Sequence, residues 1–278
     1  MKPFWVDVPR DVVRVTGPDA VSFLQGQISQ DVEALPADGS SAWSFVLQPQ
    51  GKVDAWFRVT RTGDEAVLLD VDAGFGEALV ARLERFKLRT KAEFEPLADW
   101  RCVAVRGVDL PGGIDPAWPG VAGTDFLGPD VARPSEIDDG TLDQYESLRI
   151  ECGVPAMGRE LTERTIPEEA GVVERSVSFT KGCYTGQELV ARIDSRGGNV
   201  PRRLRGLILD GDDVPADGTP LTIEGAEVGT ITSAARSGRL DAVVALAYVK
   251  RDVDVPTGGD VGGRVARIEP LPLLRSES

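Results

Sequence analysis

The sequence predicts an α+β protein that ends in a small antiparallel β-barrel. Two observations carry this. Up to about residue 200, apolar positions recur now at helical and now at strand spacing. From Arg202 onward only short β-rich pieces remain, separated by turns. At 278 residues the chain holds one large domain or two to three small ones, at roughly 100–200 residues each. The change of pattern divides it into residues 1–200 and 201–278.

Each element follows from local signals. Arg10–Val15 reads as a strand, and Thr16-Gly17-Pro18-Asp19 as a turn opening a helix that carries Phe23, Leu24, Ile28 and Val32. Proline just inside a helix start has its φ already set for the helix. Trp43–Leu47 and Val53–Thr60 are strands around the turn Gln48-Pro49-Gln50-Gly51, and Ala66–Val71 is a third. Gly76–Leu88 puts Leu79, Leu83 and Phe86 on one helical face, with Arg82 and Arg85 on the other. Val103–Val105 is strand-like, and 111–134, rich in glycine and proline, reads mostly as loop. A second helix spans Leu142–Cys152, with Leu142, Tyr145, Leu148 and Cys152 on one face and Gly153-Val154-Pro155 stopping it. The barrel pieces are Leu204–Leu209, Leu221–Ile223, Glu227–Ser233, Ala242–Val249 and Val261–Ile268.

Composition removes several function classes. Hydrophobic residues make up 41% of the chain, enough for a core and too many for a disordered chain. The 45 acidic and 31 basic residues give a formal charge of −14. A basic footprint for nucleic acid is therefore missing, despite the local cluster Arg202, Arg203 and Arg205, and no direct nucleic-acid binding is expected. Histidine is absent, which removes Ser-His-Asp and Cys-His mechanisms as usually built and most histidine metal sites. Proton transfer falls to carboxylates, lysine, tyrosine, cysteine or a ligand. Cys102, Cys152 and Cys183 are far apart, with no CxxC pair. Neither a disulfide framework nor a one-chain zinc site is expected, and the sparse, odd count fits a reducing compartment. The opening MKPFWVDVPRDVV lacks an apolar core of signal-peptide length, and no apolar run approaches membrane-spanning length. A soluble cytoplasmic protein is the expectation.

Two stretches could carry chemistry. In Lys181-Gly-Cys-Tyr-Thr-Gly-Gln-Glu188, Thr185 and Glu188 match a capping box, followed by the apolar Leu189, Val190 and Ile193. That spacing sets Cys183 just before a helix N-terminus and two residues from Lys181, where dipole and ammonium both favour thiolate. The structural alternative is a small buried cysteine; local sequence leaves both open. In Tyr145-Glu-Ser-Leu-Arg-Ile-Glu-Cys-Gly153, Tyr145 and Arg149 are i, i+4 neighbours, and Glu151 sits near a helix end that disfavours its charge. A carboxylate there calls for a basic partner or a ligand with donor groups.

Leu148-Arg-Ile-Glu-Cys-Gly-Val-Pro155, Ile166-Pro-Glu-Glu-Ala-Gly171 and the Lys181–Glu188 stretch resemble, in order, the signatures of the YgfZ/Iba57 family, folate-binding relatives of the glycine-cleavage T-protein. Val15-Thr-Gly-Pro-Asp-Ala-Val-Ser-Phe-Leu-Gln-Gly26 and the Gln50-Gly-Lys52 turn are similar to its opening blocks. The likeness covers most of the chain and is looser between about Cys102 and Asp139. It implies an aminomethyltransferase-like fold: two α+β lobes within residues 1–200, the second at roughly 41–95 inserted in the first, and the barrel over 201–278, all around a central cavity. It further implies that the cavity takes tetrahydrofolate or a one-carbon derivative, and that the protein serves iron–sulfur cluster assembly or repair, with client or assembly proteins as partners. A link of bacterial members to tRNA modification belongs to the same resemblance. Carried over by position, Glu151 would hold the pterin, Tyr145 would stack on it, and Lys181 and Cys183 match the family motif.

One departure bears on activity. T-proteins carry paired acids after their strand-turn glycine, whereas Gly51-Lys-Val-Asp54-Ala55 keeps the single acid Asp54. Ala55 cannot orient or deprotonate anything, which argues against aminomethyl transfer. The expected site is thus Glu151, Tyr145, Arg149, Lys181 and Asp54 around the folate, with Cys183 as the candidate reactive thiol at the rim. Three roles stay open for that thiol: a cluster contact, attack on a one-carbon unit, or exchange with a partner thiol. The rival reading is a tetrahydrofolate-dependent aminomethyl or methyl transferase.

Overall fold

The structure is a computed structural model that describes residues 1–274. It contains two antiparallel-rich sheets, a closed barrel, and helices that join them. Strands β1 (Phe4–Val8) and β2 (Arg10–Thr16) are followed by helix α1 (Ala20–Gln27), then β3 (Ser41–Leu47), β4 (Val53–Gly63), β5 (Ala66–Asp72), α2 (Gly76–Glu84) and β6 (Glu93–Pro96). Next come β7 (Arg101–Arg106), β8 (Gly123–Gly128), β9 (Asp138–Asp139) and α3 (Leu142–Cys152). A 3₁₀ turn at Pro167–Ala170, α4 (Val173–Ser176) and α5 (Gln187–Asp194) lead to the barrel strands. These are β10 (Arg202–Leu209), β11 (Pro220–Ile223), β12 (Ala226–Ser237), β13 (Ala242–Lys250), β14 (Thr257–Val261) and β15 (Arg264–Glu269).

The five-stranded sheet runs β3-β4-β5-β2-β6, the four-stranded sheet β8-β7-β1-β9, and the barrel closes in the order β10-β13-β12-β11-β14-β15. Side chains alternate across a strand, so each sheet has two chemically distinct faces. On the five-stranded sheet, Val13, Val15, Phe57, Val59, Leu69 and Val71 are buried with Phe23, Leu24, Leu79 and Leu83 of α1 and α2. The opposite face carries Arg10, Trp43, Trp56, Arg58, Asp70 and Asp72, as the registers Trp43↔Arg58, Arg58↔Asp70 and Arg10↔Asp72 require. The four-stranded sheet turns Cys102, Ala104, Arg106 and Asp125 toward it.

Between the sheets lies a chain of alternating charges. Arg10 donates to Asp70 at 2.7 Å and to Asp72 at 2.5 Å. Arg58 donates to Asp70 at 2.9 Å and crosses to Asp125 of the other sheet at 2.8 Å, and Arg106 meets Asp125 at 2.7 Å. Burial opposes each charge, yet the facing guanidinium groups hold Asp125 below its usual value, and the facing carboxylates raise Arg10, Arg58 and Arg106.

Several boundaries differ from the sequence reading. The first helix stops at Gln27, before Ile28 and Val32: the next residues pair with β3 instead, Ile28 bridging Val46 and the Ser29 N–H donating to Phe45 O. Helix α2 ends at Glu84, so Phe86 and Leu88 stay exposed and Phe86 lies under the Arg82 guanidinium at 4.2 Å. Sequence reading missed β1, β6, β8, β9 and β14, and its last barrel piece, Val261–Ile268, runs across the turn that separates β14 from β15; β8 hides in the glycine-rich 111–134 stretch because glycines bound it on both sides. Helix α3 has its expected limits, with Thr141 Oγ1 accepting from the Gln144 N–H at 3.1 Å and Gly153 at φ 70° closing it. Its face does not: Leu142 is exposed, while Arg149, Ile150 and Glu151 are buried as deeply as Leu148 and Cys152. The helix packs on the barrel as well as on the sheets, so no side of its last turn faces solvent.

Replacing Arg58 with methionine leaves Asp70 and Asp125 short of a buried partner. The expected cost is about 3–5 kcal/mol in urea unfolding, and a loss under about 1 kcal/mol would contradict the ion chain as drawn.

Candidate functional site

The two sheets do not close completely over the ion chain. A cavity of about 250 Å³ remains, lined among others by Arg10, Trp43, Asp72, Trp118, Tyr145 and Glu146. Trp56, Phe75, Cys102, Arg149, Met157 and Arg159 complete much of the wall. Trp43 and Trp56, diagonal neighbours on β3 and β4, stack at 3.9 Å with their planes 14° apart. The Trp43 indole N–H donates to Pro116 O and that of Trp56 to Ser176 Oγ, which fixes both rings. Across the cavity, Trp118 and Tyr145 pack at 4.9 Å, and the Arg106 guanidinium covers Trp118 at 4.2 Å. The cavity therefore has flat aromatic walls over a floor of paired charges, a shape suited to a planar heteroaromatic ring.

Of the expected residues, Tyr145 and Arg149 line this cavity. Burial raises the Tyr145 phenol well above its ordinary value, so it is a neutral ring there. Arg149 is a tie between elements: it donates to Glu146 at 2.7 Å, Glu160 at 3.2 Å, Ser233 Oγ at 2.8 Å and Val154 O at 2.5 Å. Two acids reach the cavity with part of their surface free. Asp72 accepts from the Met157 N–H at 2.9 Å as well as from Arg10. Glu146 accepts from Arg149 and from Arg159 at 2.6 Å; burial raises its carboxyl, but the two arginines outweigh this and hold it below the usual range.

Glu151 is elsewhere. Its carboxylate is buried against the barrel, accepting from Ser237 Oγ and from Arg239 Nε at 2.7 Å. It is not among the residues that line the cavity. The carboxylate at the helix end is thus answered by a basic partner, one of the two options its position allowed. Asp54 is also outside the cavity. It is the extra residue at a bulge where Val46 pairs with Ala55 and Leu47 with Val53, and it accepts from Arg82 Nε of α2 at 2.7 Å.

Lys181 and Cys183 sit on one loop outside the cavity lining. The Lys181 ammonium donates to three backbone carbonyls at the end of α1: Gln25 at 2.6 Å, Ile28 at 2.7 Å and Gln30 at 3.0 Å. A cation there answers both the orphan carbonyls and the negative end of the helix dipole. Burial pushes this ammonium down to about 8, against the pull of Asp31 and Glu33. The expected capping box does not form. Helix α5 starts at Gln187 behind Gly186, whose φ of 83° a threonine could not supply, and no side chain caps it. Gln187 Oε1 instead accepts from the Tyr184 N–H at 3.1 Å.

Glycines explain the rest of the motif. A Cβ on Gly186 would stand 2.5 Å from Gln48 O, and one on Gly51 2.5 Å from Leu189 Cβ, so the Gln48–Gly51 turn docks directly on this loop. Tyr184 is buried in the core. With Lys181, Tyr184, Gly186 and Gln187 all spent on holding the loop, Cys183 is left exposed at its crest. Cys102 and Cys152 are buried, and burial pushes each thiol up to about 12.

The C-terminal barrel, residues 202–267, matches the family model described as the glycine cleavage T-protein C-terminal barrel domain. A protein of Serratia proteamaculans named tRNA-modifying protein YgfZ is 30% identical over 96% of this chain and 91% of its own. An iron–sulfur cluster assembly factor IBA57 homolog, mitochondrial, of Mycosarcoma maydis is 31% identical over 68% of this chain and 53% of its own. Among solved structures, the glycine cleavage system aminomethyltransferase T from Bartonella henselae superposes with a TM-score of 0.84, at 21% identity, over 98% of this chain and 86% of that one. This last likeness shows the fold.

Two expectations follow from the loop geometry. In the native protein at pH 8, a disulfide reagent such as DTNB should modify one thiol per chain rapidly, and Cys183→Ala should abolish that phase. Lys181→Met should cost about 1–3 kcal/mol, the usual penalty for stranded buried acceptors, and speed amide exchange over residues 178–186; unchanged exchange would show that the lysine does not hold the loop.

Proposed function

The chain belongs to the YgfZ/Iba57 family within the T-protein-like superfamily, and on that premise we propose that it binds tetrahydrofolate or a one-carbon derivative and acts as an accessory in iron–sulfur cluster assembly or repair. The observation that carries the reading is the aromatic cavity. Trp43, Trp56, Trp118 and Tyr145 supply π faces for a pteridine ring, and Asp72 and Glu146 supply part-free acceptors for its amino-pyrimidine edge. At about 250 Å³ the cavity is just under the roughly 300–1,000 Å³ that encloses a whole drug-sized ligand. It suits the ring, with the ligand's tail passing out of the mouth.

The roles expected from sequence are redistributed in this reading. Tyr145 keeps its stacking role and Arg149 positions Glu146, while Glu151 holds the barrel to α3 and Lys181 holds the motif loop. Cys183 is presented to a partner outside the cavity. A single thiol supplies one ligand to a cluster, so a cluster held there takes its remaining ligands from a client or assembly protein. The transferase alternative is disfavoured by Asp54, which is engaged by Arg82 away from the cavity, and by buried Ala55 beside it.

Calorimetry with 5-formyltetrahydrofolate tests the first half. Wild type should bind; Tyr145→Ala and Trp118→Ala should weaken binding about tenfold each, in line with about 1–3 kcal/mol for base-like stacking on an aromatic side chain. Cys183→Ala should bind like wild type yet fail to restore iron–sulfur enzyme activity in a strain lacking the protein. Full restoration by Cys183→Ala would remove the thiol from the function.

A further inference from the structure

A second groove, of about 490 Å³, lies between helix α2 and the turn after β6. Glu77, Val80, Ala81 and Glu84 of α2 line one side, and Pro96 and Leu97 the other. The four helix residues share one face, since they stand three, four and seven positions apart. That face sets an apolar pair between two carboxylates, and Glu77, Ala81 and Glu84 are exposed. Apolar surface rimmed by charge in this way marks a place for a partner.

The free charge of the groove has one sign. Arg10 also lines it, but its guanidinium is spent on Asp70 and Asp72. Asp11 accepts from the Gly74 and Gly76 N–H groups at 2.9 and 2.8 Å, so the positive end of α2 is already answered. Glu77 and Glu84 enter no ion pair among the described residues. Two turns of helix separate them by about 10 Å along the axis. The opposite side decides the shape of the occupant. Strand β6 is the edge of its sheet, yet Pro96 has no N–H and the Leu97 N–H is bonded to Val12 O at 2.8 Å. An extended segment gains no ladder there, whereas a helix brings its own backbone bonds.

We propose that this groove docks a basic amphipathic helix of another protein. The helix lies along α2 with an apolar pair against Val80, Ala81 and Leu97. Its Lys or Arg side chains, seven positions apart, meet Glu77 and Glu84. The assignment does not depend on what the aromatic cavity binds.

NMR titration of the full chain tests it, using a synthetic alanine-based helical peptide with Lys at i and i+7 and Leu at i+3 and i+4. A twin with Glu for both lysines and a proline-broken peptide of the same charge are the controls. The lysine peptide should shift the amides of residues 76–84 and 96–98, and neither control should do so at the same concentration. Glu77→Gln combined with Glu84→Gln should weaken binding about two- to thirtyfold, the worth of two exposed ion pairs, and added salt should shrink that difference. Ala81→Arg, at an exposed helical position, should keep the melting curve of wild type and lose the peptide. Absence of those shifts at about 1 mM lysine peptide, the weak end of specific affinity, would overturn the proposal. Equal shifts from the broken peptide would reduce the groove to a site for any cation and overturn the helix. The same shifts on concentrating the protein alone would make a second copy the occupant, and wild-type binding by Ala81→Arg would place the peptide elsewhere; either overturns the assignment.

Discussion

The contact on which the architecture depends is the crossing of Arg58 from Asp70 on its own sheet to Asp125 on the other. Apolar faces alone would let two sheets slide over one another, since dispersion has no direction. A guanidinium with two fixed carboxylate partners has one solution. Arg10 and Arg106 extend the same logic to either side, so the sheets meet in a single register and leave a defined cavity above the charges. Such a chain adds little net stability over an apolar replacement; its effect is to fix where the walls stand. Its arginines also lie near the rings of Trp43 and Trp118, so the cavity's shape and its electrostatics come from the same residues.

The motif loop solves a different problem. An exposed cysteine at a loop crest is useful only if the loop stays in place, and here three unrelated devices hold it. Lys181 is clasped by the end of α1, Tyr184 is sunk in the core, and Gly186 abuts the Gln48–Gly51 turn. Two sequence blocks more than a hundred residues apart are thereby explained by one contact, glycine against glycine. The cavity and the thiol are then separate places on one molecule, aromatic walls inside and an exposed cysteine outside.

Much of the fold was legible in sequence, because periodicity reports burial directly: α3, the principal strands and the barrel follow from it. Boundaries failed where tertiary contacts overrode local signals. The cap read from Thr185 and Glu188 gave way to Gly186, since docking on Gln48 demands a positive φ there. The setting of Glu151 was not legible from its own stretch of sequence: Ser237 and Arg239, nearly ninety residues later, turn its carboxylate to the barrel. Of the cavity lining, only Tyr145 and Arg149 were anticipated from sequence. Trp43, Trp56 and Trp118 converge only through sheet register and a loop, although a charged residue inside an apolar strand run, as in AWFRV or LLDVD, does signal a buried network.

The central claim is that the ring of the ligand lies among the four aromatic walls and not beside Glu151. A crystal structure of the protein with 5-formyltetrahydrofolate tests it most directly. The account predicts ring density between the Trp43–Trp56 stack and the Trp118–Tyr145 pair, within hydrogen-bond reach of Asp72 or Glu146, with Glu151 still bonded to Arg239. Density for the ring at Glu151, with the Arg239 contact broken, would contradict it.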